Sequence, residues 1–145
     1  MITGLDHVGI AVADLEKSLD TFRRLFGIDE AAIHRERVEE QGVEIASFTV
    51  GNIRIELLAP LSEQSPVAKF LAKRGEGIHH LSFATTDIRQ DLHTLEQQGF
   101  RLVDTEPRSG AHQMWIAFLH PKSTNGVLIE LCQPKNEDAN RQSLD

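Results

Sequence analysis

Two stretches of the chain alternate in the same way between bulky and small or polar side chains, Gly4-Leu5-Asp6-His7-Val8-Gly9-Ile10-Ala11 and Gly77-Ile78-His79-His80-Leu81-Ser82-Phe83-Ala84. A period of two is that of a β-strand, where alternate residues share a face, so the pattern predicts strands over residues 5–12 and 78–85. Val8, Ile10 and Val12 form one apolar face, as do Leu81 and Phe83. The opposite rows are His7, Gly9, Ala11 and His80, Ser82, Ala84, each a single imidazole beside small residues. Such a row leaves room for something to bind.

Each strand leads into a helical pattern. Asp14 and Asp87 are suited to cap a helix N-terminus. Apolar residues then recur at Leu15, Leu19, Phe22 and Phe26, and at Ile88, Leu92 and Leu95, which is helical spacing. The predicted helices, 14–26 and 87–98, stop at Gly27 and Gly99, residues able to take a left-handed cap. After a polar connection over 28–41, runs at 43–50 and 53–58 flank Gly51-Asn52 and predict a hairpin. The link over 59–76 holds a short helix starting at Ser65-Pro66, with Val67, Phe70 and Leu71 on its apolar face. The second half predicts strands at 100–103, 113–119 and 127–132, and a polar tail that frays from Asn136.

A further echo closes each half: Ile53-Arg54-Ile55-Glu56-Leu57-Leu58 matches Val127-Leu128-Ile129-Glu130-Leu131-Cys132. The reading is therefore one domain over 1–135, made of two repeats, 1–60 and 76–135, with residues 136–145 as a tail. At 145 residues and 40% hydrophobic content the chain can bury a core as one unit.

Charge narrows the function. A net charge of −7 without a basic run argues against nucleic acid as a partner. No apolar run is long enough for a membrane span, and no basic-then-apolar leader is seen. The single cysteine, Cys132, precludes an intramolecular disulfide and suits a reducing compartment. A cytoplasmic protein is expected.

The chemistry lies in the repeated residues. A lone strand histidine is usually structural, but Glu56 and Glu130 each interrupt an apolar run, and burying a carboxylate without a partner is costly. A divalent cation is the economical partner, and two imidazoles with two carboxylates suit it. If the halves pack about a pseudo-twofold axis, His7, Glu56, His80 and Glu130 converge on it. His34, His79, His93, His112 and His120 lack this pairing. His79 should face away from its neighbour His80, and His112 falls in a loop able to close over a ligand.

With these residues identified, longer segments become informative. Leu5-Asp6-His7-Val8-Gly9-Ile10-Ala11-Val12, Glu40-Gln41-Gly42-Val43, Ile55-Glu56-Leu57-Leu58-Ala59-Pro60-Leu61, Ser65-Pro66-Val67-Ala68-Lys69-Phe70-Leu71, Gly77-Ile78-His79-His80, and Phe118-Leu119-His120-Pro121-Lys122 with Gly126-Val127-Leu128-Ile129-Glu130-Leu131 closely resemble the methylmalonyl-CoA epimerase family. This family belongs to the vicinal oxygen chelate superfamily, beside glyoxalase I and the extradiol dioxygenases. The resemblance implies an α+β fold of paired βαβββ modules forming a curved-sheet cup around a divalent metal, and a homodimer. It places the metal on His7, Glu56, His80 and Glu130, with Co2+ foremost and Zn2+, Mn2+ or Ni2+ as other candidates.

The implied reaction interconverts the (R) and (S) forms of a methylmalonyl thioester of coenzyme A. An α-proton is removed, the metal stabilises the resulting enolate, and a proton returns to the opposite face. Glu130 is one expected acid–base group. Some related epimerases place a second glutamate two residues after Gln-Gly-Val, where this chain has Ile45, so Glu44 can serve only if the strand register shifts by one residue. Lys69, Lys73, Arg74, Arg108 and Lys122 are candidate contacts for the CoA phosphates. Three alternatives stay open: a glyoxalase I-like lactoylglutathione lyase, an Fe(II) ring-cleaving dioxygenase, which the extra Glu56 disfavours, and a metal-free binding protein.

Overall fold

The computed structural model describes residues 1–136, so the tail expected over 136–145 lies outside the described residues except for Asn136. The chain divides into two compact units, one of His7–His79 and one of Met1–Asp6 together with the residues from His80 onward. Each carries a βαβββ module.

In the unit of His7–His79, β1 (Ile2–Ala11, from His7 on) leads to α1 (Leu15–Phe26), then β2 (His34–Val38), β3 (Val43–Val50), β4 (Ile53–Pro60) and α2 (Pro66–Arg74). The strands lie in the order β2-β3-β4-β1. β1 is parallel to β4, and β3 is antiparallel to both β2 and β4. The caps form as the sequence predicts: Asp14 accepts from the Lys17 amide at 3.1 Å, and Gly27 ends α1 with φ 66°. Ser65 accepts from the Val67 amide and starts α2.

The other unit repeats the plan with β5 (Gly77–Thr85, from His80 on), α3 (Ile88–Gln97), β6 (Arg108–Ser109), β7 (Met114–Leu119) and β8 (Ile129–Pro134). Its strand order is β5-β8-β7-β6, again with the first strand parallel to the last. Asp87 caps α3 by accepting from the Gln90 amide. The buried Gln133 side chain ties the start of this helix to β8, accepting from the Ile88 amide at 2.9 Å and donating to the Thr86 carbonyl at 3.0 Å. Met1 and Thr3 belong here because they bond along the end of β5: Thr86 N–H donates to the Met1 carbonyl and the Thr3 hydroxyl to the Ala84 carbonyl.

Two expectations are corrected. The polar connection over 28–41 contains β2, and no strand forms at 100–103. Only a single bridge, Leu102 with Leu119, joins that segment to β7. In both units the helix covers one sheet face. Leu15 and Leu19 pack with Ala46, Phe48 and Leu57, and Ile88 and Leu92 pack with Ala117, Leu119 and Leu131. With the apolar residues drawn to the helical side, period-two alternation leaves the histidines and glutamates on the other.

Candidate metal centre

His7 on β1 and Glu56 on β4 are both buried, at 4% and 3% exposure. In the parallel β1–β4 register, Gly9 stands opposite Glu56 and His7 opposite Arg54. The ring Nε2 of His7 lies 3.5 Å from Glu56 Oε1. Arg54, two residues before Glu56 and thus on the same face, donates from Nε to Glu56 Oε2 at 2.9 Å. Its Nη2 lies 3.2 Å from His7 Nδ1. A guanidinium has only donors, so Nδ1 is the acceptor and the neutral ring carries its proton on Nε2, toward Glu56.

The second unit is built in the same register. His80 and Glu130 are buried at 5% and 4% exposure, and Ser82, two residues after His80, stands opposite Glu130 in the parallel β5–β8 pair. His80 Nε2 is 4.0 Å from Glu130 Oε2. Phe118 on β7, directly opposite Glu130, sets its ring at right angles to the His80 ring with centroids 5.6 Å apart. The Ser82 hydroxyl is fully buried and makes no hydrogen bond among the described residues. A buried polar atom of that kind marks a place for a ligand or water.

Each unit therefore presents a buried imidazole–carboxylate pair, nitrogen and oxygen donors of the sort that first-row divalent cations accept. The pairs are held on strands, so packing orients the donors.

Glu44 does not join them. Ser47 stands opposite Glu56 and Glu44 opposite Ala59 in an unbroken β3–β4 register. The shift Glu44 would need is absent, and the residue is exposed on the helical side. Ile45 occupies the row that Glu44 misses. His79 turns away from His80, its ring edge-on to Phe70 at 5.0 Å, and burial pushes its pKa down to about 4. His34 pairs with Glu36 at 2.9 Å on β2. His112 sits in the loop before β7 with φ 58°. Of the cations considered for CoA, Arg74 lies over Phe70, and Arg108 pairs with Asp104 at 3.0 Å. The sequence reading missed Arg54, although its spacing of two from Glu56 on a strand was the available signal.

Residues 6–118 match the family model of the Glyoxalase/Bleomycin resistance protein/Dioxygenase superfamily. The ethylmalonyl-CoA/methylmalonyl-CoA epimerase of Cereibacter sphaeroides is 42% identical over 135 residues, 92% of this chain and 99% of that protein. A crystallised methylmalonyl-CoA epimerase in complex with methylmalonyl-CoA and NH4+ aligns with TM-score 0.87 and 39% identity, over 92% of this chain and 96% of that one. The methylmalonyl-CoA epimerase from Mycobacterium tuberculosis aligns with TM-score 0.86 and 43% identity, over 92% and 89% of the two chains.

Proposed function

Because the chain belongs to the glyoxalase/bleomycin resistance protein/dioxygenase superfamily, we propose that it is the epimerase its relatives are named for, interconverting the (R) and (S) forms of methylmalonyl-CoA. Relatives at about 40% identity favour this over lactoylglutathione lyase chemistry.

The metal ligands on this reading are His7, Glu56, His80 and Glu130. What supports them is the repeated register: in each unit the glutamate stands opposite the residue two beyond the histidine. A divalent cation, with Co2+ the first candidate, would polarise the thioester carbonyl and favour negative charge on its oxygen. The residues themselves do the proton work. Glu130 takes the α-proton, which lies between two carbonyl groups and is acidic for that reason. Glu56, protonated while Glu130 is ionised, gives its proton to the opposite face and so inverts the centre, leaving Glu56 ionised and Glu130 protonated, which is the starting state of the reverse direction. Glu56 takes this part in place of Glu44, since it is a buried carboxylate mirrored in the repeat by Glu130 while Glu44 faces away. The active form on this reading is a homodimer, supported by the family resemblance, in the cytoplasm, the location the single cysteine suits.

The test is to incubate the metal-loaded protein with a single methylmalonyl-CoA epimer in deuterated water. Racemisation with deuterium at the α-carbon is the expected result. An inert thioester, with turnover of the methylglyoxal–glutathione adduct, would instead favour the lyase.

A further inference from the structure

The two repeats carry opposite charges at one matched register position. On β3, Ile45 stands opposite Leu58, two residues after Glu56, and on its other side opposite Glu36 of β2. On β7, Ile116 stands opposite Cys132, two residues after Glu130, and on its other side opposite Arg108 of β6. Opposed residues share a sheet face, so Glu36 and Arg108 each lie, within their own unit, on the face that carries the imidazole–carboxylate pair.

We propose that Arg108 recognises the free carboxylate on the acyl group of the substrate, and thereby selects malonyl-type thioesters over acyl thioesters without one. The assignment rests on the epimerase reading for the identity of the substrate. Because the repeated imidazoles and carboxylates are alike, the charge at this position is what tells one end of an asymmetric substrate from the other.

Arg108 is held ready for such a contact. Its Nε is buried and lies 3.0 Å from Asp104 Oδ1, and its Cζ lies over the Phe118 ring, 6.0 Å from the centroid. Asp104 is fixed in turn, because its Oδ2 accepts from the Phe118 N–H at 2.9 Å. The Arg108 side chain is nonetheless 39% exposed, and with Nε covered, the outer Nη edge is the part left to a ligand. That edge carries paired N–H donors that match a carboxylate, with a charge that does not titrate. Phe118 links it to the candidate metal centre, standing opposite Glu130 and meeting the His80 ring.

The turn that follows Arg108 is fixed as well. A Cβ on Gly110 would come within 2.7 Å of Ile116 Cγ2, so glycine lets the turn close over this face, and the Gly110 N–H donates to the Met114 carbonyl at 3.0 Å. His112 and Gln113 both hold φ 58° within it, strain of the kind found at ligand clamps. Of the anions on an acyl-CoA, the carboxylate is the one in range. β6 lies two strand spacings from β8, about 10 Å, and Arg108 folds inward from there over Phe118. The carboxylate is attached to the reacting carbon itself, whereas the phosphates are held off by the whole pantetheine arm.

The experiment compares wild type, Arg108→Met and Arg108→Lys, each metal-loaded and checked for metal content. Calorimetry measures binding of malonyl-CoA, of propionyl-CoA and of malonyl-pantetheine, which lacks the phosphates, and kinetics give KM and kcat with methylmalonyl-CoA. Loss of a charge-assisted contact in Arg108→Met should weaken malonyl-CoA and malonyl-pantetheine alike by about 10- to 100-fold. KM should rise in parallel, propionyl-CoA binding should stay within about threefold, and Arg108→Lys should recover part of the loss. Equal weakening of all three ligands, or of the two CoA ligands alone, would overturn the assignment, as would an unchanged preference for malonyl-CoA. If these binding differences hold but the wild type leaves the α-proton of methylmalonyl-CoA in place, the epimerase reading fails and the carboxylate contact stands. Misfolding of the methionine variant shows in its circular dichroism, and the lysine variant then decides: a reduced malonyl-CoA preference supports the assignment and full retention overturns it.

Discussion

Ser47 stands directly across from Glu56 in the antiparallel β3–β4 pair, and three residues earlier on β3 Glu44 stands across from Ala59 on the opposite face. Side chains alternate strictly along a strand, so Glu44 cannot act alongside Glu56 without a bulge, and the pairing runs without a break from Val43 to Val50. Replacing Glu44 with Gln should leave α-proton exchange within about twofold of wild type, as expected for a surface carboxylate away from the chemistry. A loss of tenfold or more in the exchange rate would return Glu44 to the mechanism.

Glu56 and Glu130 should behave differently. Glu130→Gln and Glu56→Gln keep shape and an oxygen donor but remove an acid–base group; starting from the epimer whose α-proton faces Glu130, Glu130→Gln should slow exchange, and Glu56→Gln should slow inversion, each by about 10²- to 10⁴-fold. Metal analysis of the variants separates loss of the acid–base group from loss of the cation. Full exchange in Glu130→Gln, or full inversion in Glu56→Gln, would remove that residue from the proton path.

Cation binding should stabilise the fold, because ligands assembled by folding bind the native state in preference to the unfolded one. At a hundredfold excess of Co2+ over its dissociation constant the gain is about 2.7 kcal/mol, a readable rise in melting temperature. Chelator should reverse it, and His7→Ala and His80→Ala should each abolish it. An unchanged melting temperature in the wild type would argue against a resident cation.

His79 gives a separate pH signature. Burial lowers its pKa from 6.5 to about 4 in the folded protein, so the unfolded chain binds the proton more readily between those values. The stability linked to His79 is therefore complete above pH 6.5 and is lost as pH falls toward 4. The loss is on the order of 1–3 kcal/mol. Denaturant titrations of wild type and His79→Phe, both with chelator present, should diverge in slope across that window, the variant being the less pH-sensitive. Parallel curves would contradict it.

Much of this was legible in the sequence because the determining patterns are short and repeated. Residues 43–50 form β3, and the caps at Asp14, Ser65 and Asp87 all form, since each needs only local contacts. The strand His34–Val38 was hidden because it alternates between charged residues and pairs with β3 alone within its unit, so no apolar face marks it. Residues 100–103 misled for the opposite reason: Leu102 packs against the core without a ladder partner beyond one bridge, while Val103 is exposed. The four repeated residues stood out because each recurs in both halves, whereas Arg54 shares the Glu56 face by its spacing of two but has no counterpart in the second repeat, where Leu128 takes its place. The importance of Arg54 depends on its side chain folding back over His7 across the strand pair, a contact between residues far apart in sequence.

The central claim is that the two imidazole–carboxylate pairs, one from each repeat, share a single cation. Metal stoichiometry after Co2+ loading and gel filtration tests it most directly, in the wild type and in His7→Ala and His80→Ala. The account predicts one Co2+ per chain in the wild type and a severe loss of bound metal in each variant, although the two substitutions fall in different repeats. Two ions per chain in the wild type, with one retained in each variant, would contradict it.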